Sequence, residues 1–407
     1  MSGRIALIRR ILAHLAGSGG LGAAARVERR FGPGPEGDHF SRANDLEAPV
    51  RSARYHGLRD IRVETIPEPT ILKGSDALVR VTKAGICGSD LHFFNNGPDL
   101  GMEAGTRLGH EFVGVVEAVG SDVTGVKVGD RVVAPFVFSD GSCFFCDQGI
   151  HSSCTSGGIF GSPFWGEHAG GEVEGGQSEF VRVPEADGTL VVIPEALAAD
   201  EHDLAVLPLG DVFATGYHGA LQTGVAPGDT VVVIGDGAVG LCAVQAAALK
   251  GAAAVVLLGH HADRVAIGMA NGATHTVEGV DEAAALVQDL SDGRGADAVI
   301  DSISGDASIK QAIGLVRDGG AVSMLGMSHF FQPVEQPISG VFMRNVSLHP
   351  GVCPSRAYIP ELLPEIERGT INPGVVFTHD LPLDDAATGF EIMDSRAEGS
   401  IKVALTP

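Results

Sequence analysis

The stretch TVVVIGDGAVG at residues 230–240 decides the fold of this chain. Its first half is a β-branched apolar run, which is typical of a strand buried in a parallel sheet. Its second half is a G-x-G-x-x-G pattern, and residues 241–250 continue as an alanine-rich helical segment. Between a buried strand and a helix, such glycines permit the turn, the approach of a pyrophosphate and close helix packing. We therefore favour a dinucleotide site over a bare structural turn, and its expected contacts are Gly235, Gly237, Val239 and Gly240.

The residues after the next strand bear on the choice of dinucleotide. The apolar run at 254–258 ends at Gly259, followed by His260, His261 and Arg264. Units that prefer NAD usually carry Asp or Glu here, about 20 residues beyond the glycines, to hold the ribose 2′-hydroxyl. An acid would repel a 2′-phosphate, so its absence beside two imidazoles and a guanidinium favours NADP over NAD. Solvated loop histidines are the alternative.

The wider sequence pattern predicts two domains. Strand and helix signals alternate between residues 298 and 326, which indicates a parallel, doubly wound sheet. Residues 50–133 instead alternate apolar and polar side chains at period two, which indicates a compact β-rich domain. A chain of 407 residues is also too long for one ordinary core.

Composition excludes several classes of partner. The net charge of −23 argues against nucleic acid and against an anionic membrane surface. No apolar run reaches the about 18 residues that a spanning helix needs. Six cysteines in a long chain, three of them bunched, favour metal ligands in a reducing cytosol over a disulfide framework.

The bunched cysteines form a candidate metal site. Cys143 and Cys146 are a C-x-x-C pair, Cys154 follows, and Asp140 stands three residues before Cys143. A C-x-x-C on a tight turn directs two thiolates at one metal ion. The spacing predicts a structural zinc site of these four residues, although the carboxylate weakens the case for tight binding. A reduced, metal-free turn is the alternative.

A third stretch, GICGSDLH at residues 85–92, gathers a thiol, a hydroxyl, a carboxylate and an imidazole. A thiolate is a good zinc ligand, and an imidazole can ligate or carry a proton. Alone, the stretch is more typical of a turn with a buried structural cysteine.

Together, GICGSDLH, GHE at residues 109–111 and the dinucleotide glycines resemble the medium-chain, zinc-dependent alcohol dehydrogenase family. The resemblance runs from about residue 50 to the C-terminus. It implies an α/β protein in which a GroES-like, β-rich catalytic domain is interrupted by a Rossmann domain with a doubly wound parallel sheet. The expected division is a disordered N-terminal extension at 1–48, the catalytic domain with its structural-zinc lobe at 49–207, the Rossmann domain at 208–345 and a return to the catalytic domain at 346–407. The arginine-rich start also fits a transit peptide.

The resemblance implies ligands for a catalytic zinc. Cys87 and His110 match two of them, and Asp211 falls where the family varies between cysteine and an acid. Glu111 matches a carboxylate that either ligates the zinc or lies just behind it. Asp90 matches the carboxylate that orients the histidine ligand, the role expected of such a partner.

The resemblance also implies a proton path and cofactor contacts. Ser89 and His92 match relay positions, in which Ser89 takes the alcohol's proton and passes it through the cofactor ribose toward His92. Thr215 matches a residue beside the nicotinamide, and Lys402 matches a basic residue near the pyrophosphate.

Three positions depart from the family pattern. Asp140 replaces the first cysteine of the usual four-cysteine structural site. Gly88 stands where some members carry an arginine on the pyrophosphate, which predicts one phosphate contact fewer. Gly259 departs from the NAD pattern.

These observations predict a zinc-dependent oxidoreductase that moves hydride between an alcohol, aldehyde or ketone and a nicotinamide cofactor. The expected cofactors are Zn²⁺, catalytic and structural, and NADP ahead of NAD. The alternatives are a polyol, amino-alcohol or formaldehyde dehydrogenase-like enzyme of the same fold, and a non-catalytic NADPH-binding protein, which would be expected to have lost these ligands. A zinc-free quinone reductase should lack the Cys87 and His110 pair. We expect a cytoplasmic homodimer or homotetramer whose partner is a small alcohol or aldehyde.

Overall fold

A computed structural model describes residues 49–328, 334–335 and 337–407; the predicted extension at 1–48 lies outside the described residues. The strands in this part of the chain are β1 (Val50–Gly57), β2 (Asp60–Ile66), β3 (Ala77–Ile86), β4 (Phe112–Val119), β5 (Arg131–Ala134), β6 (Val137–Phe138), β7 (Gly158–Ile159), β8 (Phe180–Val183), β9 (Val191–Val192), β10 (Thr230–Ile234), β11 (Ala254–Leu258), β12 (His275–Val277), β13 (Ala296–Asp301), β14 (Val316–Met324), β15 (Ser347–Pro350), β16 (Phe377–Pro382) and β17 (Lys402–Thr406). The α-helices are α1 (Gly88–Asn96), α2 (Phe144–Asp147), α3 (Ala186–Thr189), α4 (Asp203–Val206), α5 (Val212–Gln222), α6 (Ala238–Leu249), α7 (Ala262–Ala270), α8 (Val280–Leu290), α9 (Asp306–Leu315), α10 (Ile338–Met343), α11 (Ser355–Glu367) and α12 (Ala386–Ser395). Among the described residues, we find no helix with the length and apolar character needed to cross a membrane.

Strand β10, from the stretch at residues 230–240, lies inside a six-stranded sheet. The strand order is β12-β11-β10-β13-β14-β15, and every neighbouring pair is parallel. All five residues of β10 are buried, as expected for a β-branched run covered by helices on both faces. This is the order of a doubly wound dinucleotide fold, in which the ligand crevice lies at the carboxyl ends of the strands where the order reverses. Here the order reverses between β10 and β13.

The parallel sheet extends past the domain boundary predicted at residue 345. Strand β15 pairs with β14 in parallel and adds the sixth strand. Its four residues are exposed or half-buried, because the strand lies at the edge of the sheet. An edge strand lacks the continuous apolar run of the inner strands, so the sequence pattern did not reveal it.

Strands that precede and strands that follow the parallel sheet in the chain share a second sheet. Its order is β16-β17-β3-β4-β5-β9, with β8 also paired to β3. The last strand, β17, runs antiparallel to β3, so that Val403 pairs with Ile86. The C-terminal strand therefore lies directly beside the residues that lead into Cys87. This pairing positions the segments that build the site.

Gly240, in the first turn of α6, packs against the backbone of the preceding loop. A Cβ atom at this position would overlap the carbonyl oxygen of Gly235. Overpacking of this kind costs about 1–3 kcal/mol. We expect Gly240→Ala to lower the free energy of unfolding by about that amount, as measured by urea denaturation.

Gly314→Ala is the matched control for this prediction. Gly314 is an exposed residue of α9, and a Cβ there would meet no heavy atom within 4 Å. The greater helix propensity of alanine should leave stability unchanged or raise it by up to about 1 kcal/mol. A Gly240→Ala variant as stable as the parent protein would contradict the close packing.

Candidate active site

Three ligand atoms from separate segments converge beside the second sheet. Cys87 follows β3, His110 precedes β4 and Asp211 directly precedes α5. Cys87 Sγ lies 3.3 Å from Asp211 Oδ2, and His110 Nε2 lies 3.3 Å from the same oxygen. Ligands that surround one Zn²⁺ tetrahedrally at roughly 2.0–2.3 Å lie roughly 3.3–3.8 Å from each other. The spacing therefore fits one zinc ion between the three side chains.

The chemistry of this donor set also fits a divalent cation. Cys87 and His110 are 8% and 3% exposed. Burial raises the pKa of the Cys87 thiol to about 11, and the charges of Asp211 and Glu111 contribute to the rise. A bound Zn²⁺ reverses this penalty, because it deprotonates a coordinating thiol and supplies the positive charge that the carboxylates face. Thiolate, imidazole and carboxylate are all regular zinc ligands.

Asp90 holds the imidazole from the side away from these ligands. Its Oδ1 lies 3.3 Å from His110 Nδ1, which leaves Nε2 to face Asp211. Its Oδ2 accepts hydrogen bonds from the Cys87 backbone N–H at 3.0 Å and from Gln177 Nε2 at 3.1 Å. Such a carboxylate fixes the ring and raises its basicity as a ligand. The sequence interpretation missed Gln177, whose position before β8 gives no spacing signal.

Glu111 lies beside the three ligands and is held by Lys402. An oxygen of Glu111 and the ligand atoms of Cys87, His110 and Asp211 all lie within 4.8 Å of one another. Lys402 Nζ lies 2.7 Å from Glu111 Oε1 and 2.6 Å from Oε2.

Lys402 was expected near the pyrophosphate, and the structure gives it a different partner. Both Lys402 and Glu111 are fully buried, and the ammonium also donates to the Ile86 carbonyl at 3.2 Å. Burial works against the charged ammonium, yet the attraction of Glu111 raises the pKa of Lys402 above its ordinary value. The ammonium is therefore committed to Glu111 and Ile86. Gly85 makes room for this pair, since a Cβ there would overlap Glu111 Oε2.

The residues expected in the proton path lie on α1. Ser89 Oγ is 3.2 Å from His110 Nε2. His92 is half-buried, and it lies three residues further along the same helix, on the neighbouring face. Burial lowers the pKa of His92. Thr215, expected beside the nicotinamide, donates from Oγ1 to Asp211 Oδ1 at 3.1 Å, which also orients that carboxylate.

The second cysteine group is brought together as well. The ligand atoms of Asp140, Cys143, Cys146 and Cys154 all lie within 4.8 Å of one another. Cys143 Sγ is 3.6 Å from Cys146 Sγ and 3.9 Å from Cys154 Sγ, and the three thiols are free. Three sulfur atoms and a carboxylate at these separations fit a second zinc ion.

Backbone hydrogen bonds keep Asp140 ionised in this group. Asp140 Oδ1 accepts from the backbone N–H groups of Ser142 at 2.8 Å and of Cys143 at 2.9 Å. Burial would raise the pKa of Asp140, but these hydrogen bonds lower it to about 2. Burial likewise opposes ionisation of Cys143, yet the N–H groups of the turn lower its pKa to about 7. Both side chains are therefore prepared to bind a cation.

The glycine loop after β10 has the geometry expected for a pyrophosphate. Gly235 has a φ of 101°, a conformation that glycine adopts without steric cost. A Cβ at Gly237 would meet no heavy atom within 4 Å, so the backbone is open to a ligand. Helix α6 begins directly afterwards at Ala238 and includes Val239, and its N-terminus favours negative charge.

The residues expected to face a 2′-phosphate instead surround Asp236. Asp236 Oδ2 accepts hydrogen bonds from the backbone N–H groups of His260 at 2.7 Å and His261 at 2.8 Å. His261 Nδ1 lies 3.0 Å from the same oxygen, and Arg264 Nη1 lies 3.8 Å from Oδ1. A Cβ at Gly259 would lie 2.9 Å from Asp236 Cβ. The sequence interpretation missed Asp236 because it occupies an unrestricted position of the glycine motif.

Two family models match this chain. Residues 73–195 match the alcohol dehydrogenase GroES-like domain, and residues 238–368 match the zinc-binding dehydrogenase model. AdhB of Bacillus subtilis strain 168, an uncharacterized zinc-type alcohol dehydrogenase-like protein, is 34% identical over 389 residues. That alignment covers 88% of this chain and 100% of AdhB.

Solved structures of alcohol dehydrogenases are also similar to this chain. The alcohol dehydrogenase TADH from Thermus sp. ATN1 superposes with a TM-score of 0.79 at 31% identity, covering 88% of this chain and 99% of TADH. The apo form of the zinc-dependent alcohol dehydrogenase 2 from Streptococcus pneumonia superposes with a TM-score of 0.77 at 31% identity, covering 88% and 98% of the two chains.

The two ligand groups lead to a prediction about metal content. We expect elemental analysis of the purified protein to give about two zinc ions per chain, because each group supplies ligands for one tetrahedral site. Asp140→Ala should lower the content toward one, because three thiols remain without the carboxylate. Asp147→Ala, a change at an exposed residue of α2, is the matched control and should retain two. One zinc per chain in the parent protein would contradict binding at one of the two groups.

Proposed function

This chain belongs to the medium-chain, zinc-binding alcohol dehydrogenase family, and we propose that its active site is the cluster of Cys87, His110 and Asp211. The protein is a zinc-dependent oxidoreductase that acts on alcohols with a nicotinamide cofactor. The observation that carries the site assignment is the convergence of a thiol, an imidazole and a carboxylate on one buried point. The open backbone at Gly237 supports a dinucleotide in the same protein.

In the proposed site, Cys87, His110 and Asp211 hold the metal and Asp90 fixes the orientation of the His110 ring. A Zn²⁺ ion held there would supply a Lewis acid for an alcohol hydroxyl, and a nicotinamide would supply the hydride acceptor. Thr215 positions the Asp211 carboxylate through its hydroxyl. The ligands come from separate elements, so the fold as a whole sets their geometry.

Ser89 and His92 provide the proposed exit for the alcohol's proton. The Ser89 hydroxyl lies beside His110 Nε2, at the edge of the ligand cluster. We expect it to accept the proton and pass it toward His92. Because burial lowers the pKa of His92, its imidazole is neutral at neutral pH and able to accept a proton.

The family resemblance allows two roles for Glu111: a zinc ligand, or a carboxylate that lies just behind the zinc. We propose the second, since Lys402 holds both of its oxygens in a fully buried ion pair. In that position Glu111 would lie next to the metal without occupying a coordination position. Cys87, His110 and Asp211 would then hold the metal without Glu111, which would leave the site open to a substrate.

We expect the choice between NAD and NADP to depend on the loops after β10 and β11. The NADP prediction rests on the absence of an acid at Gly259, and on that ground alone a 2′-phosphate would fit beside His260 and His261. The carboxylate of Asp236 argues against a 2′-phosphate there, because it already accepts hydrogen bonds from the backbone N–H groups of His260 and His261. A homo-oligomeric assembly and a cytoplasmic location stay predictions of the sequence.

The proposed ligand set predicts the effect of removing its thiolate. Cys87→Ala should lower alcohol oxidation at least about a thousandfold, because loss of the Lewis acid removes several kcal/mol of transition-state stabilisation. Binding of the reduced cofactor, followed by nicotinamide fluorescence, should persist. The oxidation assay uses a panel of primary and secondary alcohols, polyols, amino alcohols and formaldehyde, which also distinguishes the alternatives within the fold.

Cys242→Ala is the control for this variant. Cys242 is a fully buried thiol of α6 and lies outside the ligand set. This variant should retain both turnover and cofactor binding. Turnover retained by Cys87→Ala on any substrate of the panel would refute the assignment.

A further inference from the structure

We propose that Asp236 is the cofactor-selecting residue of this enzyme, and that its carboxylate favours NAD(H) by binding the adenosine ribose diol and repelling a 2′-phosphate. The inference rests on the proposed function only in requiring that the chain binds a nicotinamide dinucleotide. It reverses the preference predicted from residues 259–264, because the acid missing after β11 is supplied from the loop after β10.

Position is the first argument. In NAD-preferring units the selecting acid projects from the end of the second strand, which here is Gly259. A Cβ built on Gly259 would lie 2.9 Å from Asp236 Cβ and 3.1 Å from Asp236 Oδ2. The Asp236 side chain therefore fills the space into which a side chain at position 259 would project. The two positions exclude each other, so a glycine at 259 follows from an aspartate at 236.

The second argument concerns hydrogen-bond donors. A ribose 2′-phosphate at this loop needs N–H groups, and the loop offers those of His260 and His261. Both already donate to Asp236 Oδ2, at 2.7 Å and 2.8 Å. The His261 ring lies 3.0 Å from the same oxygen. A phosphate would have to displace the carboxylate from these donors.

Charge is the third argument. Burial alone would raise the pKa of Asp236, but the hydrogen bonds from His261 and His260 lower it, so the side chain is a carboxylate at neutral pH. The cation that could offset it, Arg264, is 7% exposed. One guanidinium nitrogen faces Asp236 Oδ1 at 3.8 Å, and another donates to the Ser400 carbonyl at 2.5 Å. Arg264 is therefore held by Asp236 and Ser400 and is not presented to a ligand.

The test is direct binding of NADH and NADPH to the purified zinc protein by isothermal titration calorimetry, without alcohol. We expect the parent protein to bind NADH at least about tenfold more tightly than NADPH, since placing like charges together is strongly unfavourable. Asp236→Asn keeps the shape and an acceptor oxygen for His260 and His261 but removes the charge. It should shift the NADPH-to-NADH affinity ratio at least about tenfold toward NADPH.

Asp289→Asn is the matched control, because it removes the same charge from an exposed residue near the C-terminal end of α8. It should leave the affinity ratio unchanged. Competition of 5′-AMP and adenosine 2′,5′-bisphosphate against NADH on the parent protein tests the ribose contact without any variant, and 5′-AMP should compete better.

Equal or tighter binding of NADPH by the parent protein, an unchanged ratio in Asp236→Asn, or no binding of either nucleotide would each overturn the proposal. A failure of the proposed zinc chemistry would look different. It would show as absent alcohol oxidation with the NADH preference and its response to Asp236→Asn intact.

Discussion

The close approach of Cys87, His110 and Asp211 is the constraint on which the surrounding structure depends. Cys87 Sγ and His110 Nε2 each lie 3.3 Å from Asp211 Oδ2, nearly shielded from water. In their deprotonated forms these electron-rich atoms repel each other unless a cation lies between them. Asp90 holds the imidazole, Thr215 holds Asp211, and Lys402 neutralises Glu111 next to them. Each supporting contact comes from a different element. The pairing of β17 with β3 supports the site, because it places Lys402 beside Ile86 and Glu111.

The parts that could be predicted from the sequence are those with a local signal. The buried run at residues 230–234 predicted a parallel strand, the alternation between residues 298 and 326 predicted a doubly wound parallel sheet, and the structure contains both. Asp140, Cys143, Cys146 and Cys154 lie within one short turn region, so their spacing alone indicated a common point, and their ligand atoms do meet. Cys87, His110 and Asp211 lie far apart in sequence. Only the family resemblance connected them.

The parts that could not be predicted depend on long-range contacts between single side chains. Gln177 supports Asp90 from 87 residues away, and Lys402 reaches Glu111 across 291 residues. Neither contact produces a period or a spacing. The role of Asp236 was not predicted for a different reason. The glycine motif assigns roles to its glycines and leaves the residue between them open, so the charge placed there was overlooked.

The central claim is that Cys87, His110 and Asp211 bind the catalytic zinc, and anomalous diffraction at the zinc edge tests it most directly. Crystals of the zinc-loaded protein should show an anomalous peak within bonding distance of Cys87 Sγ, His110 Nε2 and an Asp211 carboxylate oxygen. The cysteine group around Cys143 should show a second, independent peak. A peak at the cysteine group with none between Cys87, His110 and Asp211 would contradict the account.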